Sequence, residues 1–308
     1  MKILGVLDKV NKFLFDPSAR FNYLDSKGCY DSLDDEAYLK KAFKAHMGYE
    51  LDLYNPQTFN EKLQWLKLHN RKPEYTMMAD KYVVRQYIAN TIGEEYLIPL
   101  IGVWGDPDDI DFDKLPNQFV LKCNHNSGTG MCICKDKSKL DYEAVRDGLR
   151  KGLKEDYYLK GREWPYKDID RKIVCEKFMQ DKDNPVLNDY KILCFDGEPK
   201  LIELHRNRFT EKQTQDFYDT DWNLTSISQD GSMAKSSTQK AEKPKNLNKM
   251  LKFAKLLSKD IPHLRVDFYE INGKVYFGEL TFFDGSGFDS FDNIEYDYLL
   301  GSWITLNI

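Results

Sequence analysis

The densest run of reactive side chains in the sequence lies near its C-terminal end, where residues 263 to 282 read HLRVDFYEINGKVYFGELTF. Its apolar and polar residues alternate on either side of Asn272-Gly273, which predicts two strands and a tight turn. The register decides the chemistry. A two-residue loop sets Asp267 opposite Gly278 and sends Asp267 and Glu279 to opposite faces. A three-residue loop, Ile271 to Gly273 with Gly273 left-handed, sets Arg265 opposite Glu279 and Asp267 opposite Phe277. The second register collects Val266, Phe268, Tyr276, Leu280 and Phe282 on one face and Arg265, Asp267, Glu279 and Thr281 on the other. It is preferred because it separates the faces by chemistry. Two carboxylates at diagonal positions on rigid strands suit one or two magnesium ions, which take hard oxygen ligands. A solvated edge hairpin with an Arg265–Glu279 pair is the plain alternative.

Two further segments carry chemistry. Lys122 ends a strand and precedes Asn124-His125-Asn126-Ser127-Gly128-Thr129-Gly130. Such a loop offers backbone N–H groups, hydroxyls and two glycines that can close over a triphosphate, with Lys122 as a point charge. Its spacing fits neither a Walker loop nor a dinucleotide fingerprint, and Ser-Gly-Thr-Gly also makes a good hairpin turn. Val174 to Met179 is an apolar strand that turns polar at Gln180-Asp181. It reads equally as a backbone against which a purine lies and as an ordinary core strand with one Glu.

These groups need elements to hold them. Helices are predicted from Asp34 through Met47, from Thr58, where Thr58 and Glu61 form a capping box, and from Ala79 to Ile92 with Gly93 as terminator. Strands are predicted at Phe119–Leu121, 131–134, 172–179, 190–195 and 200–204, with Asp196-Gly197 turning one into the next. Helices are expected over 141–155 and 247–259, and 226–245 reads as a mobile loop. Residues 3 to 15 place Ile3, Leu4, Leu7, Val10 and Leu14 at helical spacing among lysines. That pattern suits a helix packed on its own domain and, less commonly, one lying on a membrane surface.

Composition narrows the class. In 308 residues, 41% are hydrophobic and 14% aromatic, which excludes disorder for most of the chain. With 45 basic against 50 acidic residues the net charge is −5, and this composition argues against nucleic acid as the main partner. The six cysteines show no C-x-x-C pair and read as buried thiols in a reducing compartment, which argues against zinc. The absence of a long apolar run and the interrupted first ten residues point to the cytoplasm.

The wording of several segments is specific when taken together: Asn55-Pro56 with Thr58 to Lys62, Asp80-Lys81, Leu97 to Leu100, Leu115-Pro116 with Phe119 to Lys122, Asp189 to Lys191 with Phe195 to Gly197, and Arg265 to Asp267 with Gly278 to Thr281. In this order, over roughly residues 55 to 290, they resemble the ATP-grasp fold. Their wording resembles the TupA-like ATP-grasp family, associated with surface-polysaccharide gene clusters. The resemblance implies an α+β fold in which two α+β lobes hold ATP between them. A mainly helical N-terminal segment, 1–75, would precede an ATP-grasp domain, 76–308, with a lid lobe at about 117–180 and a metal-binding lobe at about 185–308.

Position by position, the resemblance makes Lys81 and Lys122 the phosphate-holding lysines and Ser127, Gly128, Thr129 and Gly130 the loop that closes over them. Glu176, Lys177, Phe178 and Met179 match the adenine-contacting hinge, with Asp183 a looser candidate for the ribose. Lys191 matches a basic residue near the triphosphate, and Arg265 an arginine that stabilises the phosphate or tetrahedral species. Asp267 and Glu279 match the Mg2+ ligands. Thr281 stands where many relatives carry Asn; its hydroxyl can ligate or hold a metal-bound water, which leaves open whether one or two metals bind.

The chemistry so implied is carboxylate activation by ATP through an acylphosphate, followed by attack of an amine or amino acid. The expected carboxylate is a uronic acid or similar group of a capsule or cell-surface polysaccharide precursor, lipid-linked if residues 3–15 contact the inner face of the membrane. His125, His205 and Arg206 are candidates to face the acceptor, although a lone His beside a loop is more often structural. The rivals are a kinase of the same fold, a nucleotide-sugar glycosyltransferase using Asp219-Thr220-Asp221 as a D-x-D motif, and a catalytically silent ATP-binding protein.

Overall fold

The computed structural model describes residues 13–184, 186–208, 210–229, 236–237 and 239–307. Each N-terminal helix begins where a side chain takes up an orphan backbone N–H. Asp16 accepts from Ala19 ahead of α1 (Pro17–Asp25), and Asp34 accepts from Ala37 ahead of α2 (Asp35–Met47), which ends on Gly48 at φ +80°. The predicted capping box opens α3 (Phe59–His69): Thr58 accepts from Glu61 N while the Glu61 carboxylate returns to Thr58 N. Helices α1 and α2 close over Phe21, Tyr38, Leu39, Ala42, Phe43 and Leu51. Helix α3 instead lends Phe59, Leu63 and Leu66 to the main core.

The helix predicted over Ala79–Ile92 starts only at α5 (Val84–Thr91), and an unpredicted shorter helix, α4 (Pro73–Ala79), ends where it was expected to begin. Asp80 is the cause. Its Oδ1 accepts from Tyr82 N, Val83 N and Asn124 Nδ2, and three donors on one oxygen hold the chain in a turn. The break places Lys81 in that turn. Gly93, at φ +119°, follows α5 as expected.

Two antiparallel sheets make up the rest. The first has order β1-β4-β2-β3, from β1 (Leu100–Trp104), β2 (Phe119–Cys123), β3 (Cys132–Cys134) and β4 (Ile173–Lys177). Helix α6 (Tyr142–Lys154) covers it through Leu149, in a core with Ile110, Phe112, Phe119, Leu121 and Cys175. The second has order β7-β6-β5-β8-β9, from β5 (Asp189–Phe195), β6 (Glu198–Arg206), β7 (Thr214–Tyr218), β8 (His263–Ile271) and β9 (Lys274–Thr281). Its apolar face packs on α7 (Leu247–Leu257), and α8 (Ile294–Ser302) lies against α3. The fold is α+β, as expected. Strands β1 and β7 and helices α1, α4 and α8 were not predicted.

The register of β8 and β9 departs from the preferred one. Ile271 pairs with Lys274 across a two-residue turn in which Asn272 and Gly273 both have positive φ. The ladder then shifts by one between Val266 and Phe268, so that Asp267 stands against both Gly278 and Glu279. This bulge, not a three-residue loop, returns Arg265, Asp267, Glu279 and Thr281 to one face. A Cβ at Gly278 would lie 3.0 Å from Asp267 O, so the close approach favours glycine. Below the bulge the alternation is opposite to that expected: Val275 and Phe277 are buried and Tyr276 is not.

Four of the cysteines are buried, Cys132 is partly so and none of the six is paired, but Cys29 is exposed, because it sits in the turns between α1 and α2. Among the described residues no helix is long and apolar enough to cross a membrane. The run 3–15 lies outside the described residues except for Phe13 to Phe15, and residues 230–235 and 238 of the predicted mobile loop lie outside them too.

Candidate active site

One face of the second sheet carries a row of alternating charge. Lys191 on β5 pairs with Asp267 on β8 and with Glu203 on β6, and cross-strand partners share a face. Lys191 Nζ donates to Asp267 Oδ2 at 2.7 Å and lies 3.4 Å from Asp189 Oδ2. Arg265 grips the same carboxylate twice, Nε to Oδ1 and Nη2 to Oδ2, both at 2.8 Å. It also reaches Glu279 Oε1 at 3.2 Å and, through Nη1, Asp284. Burial alone would push the Asp267 carboxyl up, but Arg265 and Lys191 hold it below the usual range. Burial and Arg265 work against the Lys191 charge, yet Asp267, Asp189 and Glu203 keep its pKa raised.

Asp284 reaches Arg265 because its loop is pinned from α3. Lys67, fully buried, donates to Gly161 O at 2.6 Å and Ser286 O at 2.7 Å, and Ser286 Oγ bonds to Glu163. The N-terminal helices thus position a residue of the charged face.

Lys81 approaches this face from the helical side. Its N–H donates to Asn124 O and its Nζ to Asn126 O at 2.7 Å, and Nζ lies 3.9 Å from Glu279 Oε2. Burial lowers its pKa, against the pull of Glu279. Lys122, on β2, bonds Glu176 Oε2 at 2.6 Å, and Arg85 holds the other oxygen at 3.1 Å. The Glu176 side chain is therefore occupied by two cations, and Lys177 N donates to Pro99 O.

Ser127 and Gly128 are exposed, while Thr129 and Gly130 are anchored on α6. A Cβ at Gly130 would lie 2.9 Å from Gly148 O, and one at Gly152 2.7 Å from both Thr129 O and Cys123 Sγ. Two glycines thus let the loop's end touch the helix backbone while its tip projects. Phe178 and Met179 are half-buried in the connection between the sheets. Asp181 straps that connection to the β8–β9 turn by accepting from Asn272 N at 2.6 Å. Asp183 is exposed beside it, its N–H held by Asp181.

Three candidates lie elsewhere. Asp219 accepts from Asp221 N, Asn223 N and Asn223 Nδ2, so the D-x-D segment is a turn organised by its first acid. His125 is buried with Nε2 at Glu155 O, and burial lowers its pKa. Arg206 is on the opposite sheet face from Lys191, at Asp216. His205 does join the charged face, bonded to Glu203. Sequence reasoning missed Asp284, Arg85, Asp189 and Glu203. Only Arg85, four residues after Lys81, had a spacing signal, and the intervening break removes the helix that spacing presupposes.

The donor types are those magnesium takes, although Arg265 holds both oxygens of Asp267 and Lys191 shares one of them, so that Asp267 could ligate only with a cation shared or displaced. Asp267, Glu279 and the Thr281 hydroxyl are hard oxygens from adjacent strands on one face, and Glu279 Oε2 lies beyond hydrogen-bond reach of Lys81. Among the described residues no three His, Cys, Asp or Glu side chains gather as a ready metal cage, so phosphate oxygens and water would complete the shell.

Two antiparallel sheets, with Lys81 tied to the loop after β2 and 3.9 Å from Glu279 on the second sheet, belong to the ATP-grasp class. Within it, the chain belongs to the TupA-like ATP-grasp family, whose model matches residues 61–305. Solved structures show a distant likeness. The D-alanine–D-alanine ligase from Helicobacter pylori is 14% identical, with TM-score 0.44 over 81% of this chain and 70% of that one. The same enzyme from Bacillus anthracis, complexed with ATP, is 17% identical, with TM-score 0.38 over 67% of this chain and 55% of that one. The D-cycloserine synthetase DcsG is 12% identical, with TM-score 0.39 over 68% and 64%. No curated protein matches.

Proposed function

We propose that the protein joins a carboxylate to an amine through an acylphosphate, and that the carboxylate belongs to a uronic acid or similar unit of a capsule or cell-surface polysaccharide precursor. The carrying observation is Arg265, tied to Asp267, Glu279 and Asp284 beside Lys191, with Lys81 3.9 Å from the same Glu279. Phosphoryl transfer to a carboxylate spreads negative charge over phosphoryl oxygens, and preorganised cations in a water-poor site stabilise it.

In this reading Lys81 and Lys122 hold the nucleotide phosphates, Ser127 to Gly130 close over them, and the backbone of Glu176 to Met179 contacts adenine, with Asp183 near the ribose. Asp267, Glu279 and Thr281 hold magnesium, which supplies charge neutralisation between phosphates. Lys191 and Arg265 take up the charge on the transferred group and then on the tetrahedral species. The division into a helical segment, 1–75, and an ATP-grasp domain, 76–308, is part of the proposal. So is a cytoplasmic location with membrane contact through residues 3–15, which liposome sedimentation of full and truncated chains tests.

The experiment is a panel of uronic acids and amino acids assayed for ATP-dependent condensation by mass spectrometry. Phosphate release that needs both a uronate and an amine supports the reading. Release with a hydroxyl acceptor alone replaces it with a kinase.

A further inference from the structure

The charged row continues one strand past Lys191. Glu203, on β6, is only 4% exposed, and His205 Nε2 and Gln215 Nε2 both converge on its Oε1. Its Oε2 is shut off from solvent without a hydrogen-bond partner. Asp189, 1% exposed, repeats the pattern: Arg208 holds Oδ2 at 2.7 Å, and Oδ1 has no partner. Burial pushes the Glu203 carboxyl up, but His205, Lys191 and Arg265 overcome it and keep it ionised. A buried carboxylate oxygen without a donor is costly, more so when charged. Two of them flank Lys191, whose ammonium is already held by Asp267.

Their place matters as much as their state. Glu203 is directly opposite Lys191 and within electrostatic reach of Arg265 and Asp284. It therefore borders the residues assigned to the reacting phosphoryl group, about one strand spacing, ~5 Å, away from Lys191. An anionic patch there repels phosphate and carboxylate. It suits a group that brings positive charge and several N–H donors.

We propose that Glu203 Oε2 anchors the ammonium group of the amine co-substrate, with the unpartnered Asp189 Oδ1, on the neighbouring strand, as a second acceptor beside Lys191. This rests on the ligase reading above. The co-substrate class follows: a primary amine that is cationic when it binds, such as an amino acid, rather than a hydroxyl acceptor. Glu203 keeps that amine on the sheet face that carries Arg265; before attack the ammonium passes one proton to Glu203 Oε2, and the neutral amine then forms the C–N bond as the acyl C–O bond to phosphate breaks, phosphate leaving with the second proton.

The test uses the full chain with ATP, magnesium, the uronic acids of the panel, its amino acids, and hydroxylamine in large excess as a nucleophile that needs no ammonium anchor. Glu203→Gln preserves size and the acceptor for His205 and Gln215 but turns Oε2 into a donor. The expected result is a KM for the amino acid at least tenfold higher, and a ratio of hydroxamate to amide at least tenfold larger, than in the unsubstituted protein. Glu203→Asp, which keeps the charge, should recover part of the KM change. An unchanged amino-acid KM in Glu203→Gln overturns the proposal. So does a loss of ATP binding, measured by calorimetry, in parallel with amide formation, which would make Glu203 part of the phosphoryl site. A defect that tracks potassium concentration rather than amine also overturns it, by assigning the pocket to an alkali cation. If the unsubstituted protein forms no hydroxamate with any uronate, the ligase reading itself fails.

Discussion

Arg265 and Asp267, two residues apart on one strand, are joined by a two-pronged ion pair with both hydrogen bonds at 2.8 Å. The same guanidinium holds Glu279 and Asp284, so one planar cation organises three carboxylates. Only a fork of fixed geometry can do this. Arg265→Lys keeps the charge and loses the fork. The expected outcome is turnover lower by roughly 10²–10³-fold, since a preorganised donor at the reacting centre is worth about that much. ATP-dependent phosphate release measures it; a Lys variant within threefold of normal would remove Arg265 from the chemistry.

Asp267→Asn tests the pair from the other side and has a pH signature. The folded-state pKa of Asp267 is depressed, so the unfolded chain binds its proton more tightly than the folded one. Its contribution to stability is present above the unfolded value, about 3.9, and is lost as pH falls through the lower folded value. Breaking a buried pair costs about 3–5 kcal/mol. The gap in stability between the unsubstituted protein and Asp267→Asn should therefore be widest near pH 7 and shrink below about pH 4. Denaturant titrations at several pH values read it, and a gap that grows in acid would contradict the pairing.

Glu279 differs from Asp267 in exposure: its side chain is 39% accessible and 3.9 Å from Lys81. Glu279→Gln should leave the melting temperature within about 2 °C, as surface changes usually do, while turnover collapses and the magnesium needed for half-activity rises. A variant that melts normally and retains its magnesium response would take Glu279 out of the metal site.

How far these residues were legible follows from the ladders. Alternation around Asn272-Gly273 showed two strands, and the chemistry of the faces showed which side chains belong together. It did not show how: simple pairing from the two-residue turn puts Asp267 opposite Gly278, and the bulge that corrects it depends on the backbone approach that Gly278 permits. The β5–β6 hairpin repeats the lesson. Counting from Asp196-Gly197 sets Lys191 against Ile202, yet a shift between Leu193 and Cys194 sets it against Glu203. A local pattern cannot reveal either shift, because each is decided by what the sheet buries. The start of α5 was misjudged for a related reason: Asp80 holds the chain after Ala79 in a turn together with Asn124, 44 residues away. Strand β1 escaped notice because its residues are only partly buried.

The contact between loop and helix makes its own prediction. A methyl group at Gly152 would meet Thr129 O and Cys123 Sγ at 2.7 Å, and Thr129 is backbone that cannot turn aside. Gly152→Ala should cost about 1–3 kcal/mol, the usual range for overpacking, and raise the KM for ATP several-fold by displacing Ser127 to Gly130. Gly105→Ala, where a Cβ meets nothing within 4 Å, is the control. Equal ATP affinity in Gly152→Ala and the control would detach the loop from nucleotide binding.

The Asp219–Asp221 turn separates the ligase from a glycosyltransferase. Asp219 holds two backbone N–H groups and the Asn223 amide, whereas Asp221 is exposed and contributes its own N–H to Asp219. A metal-binding D-x-D pair needs both carboxylates, and a turn organised by the first needs only that one. Asp221→Ala should therefore leave ATP-dependent turnover within twofold. Asp219→Ala should lower stability by about 1 kcal/mol, the worth of a local hydrogen-bonded turn, without changing the metal requirement. If both substitutions instead abolish turnover and the activity responds to manganese with a nucleotide sugar, the carboxylates on β8 and β9 are not the reaction centre.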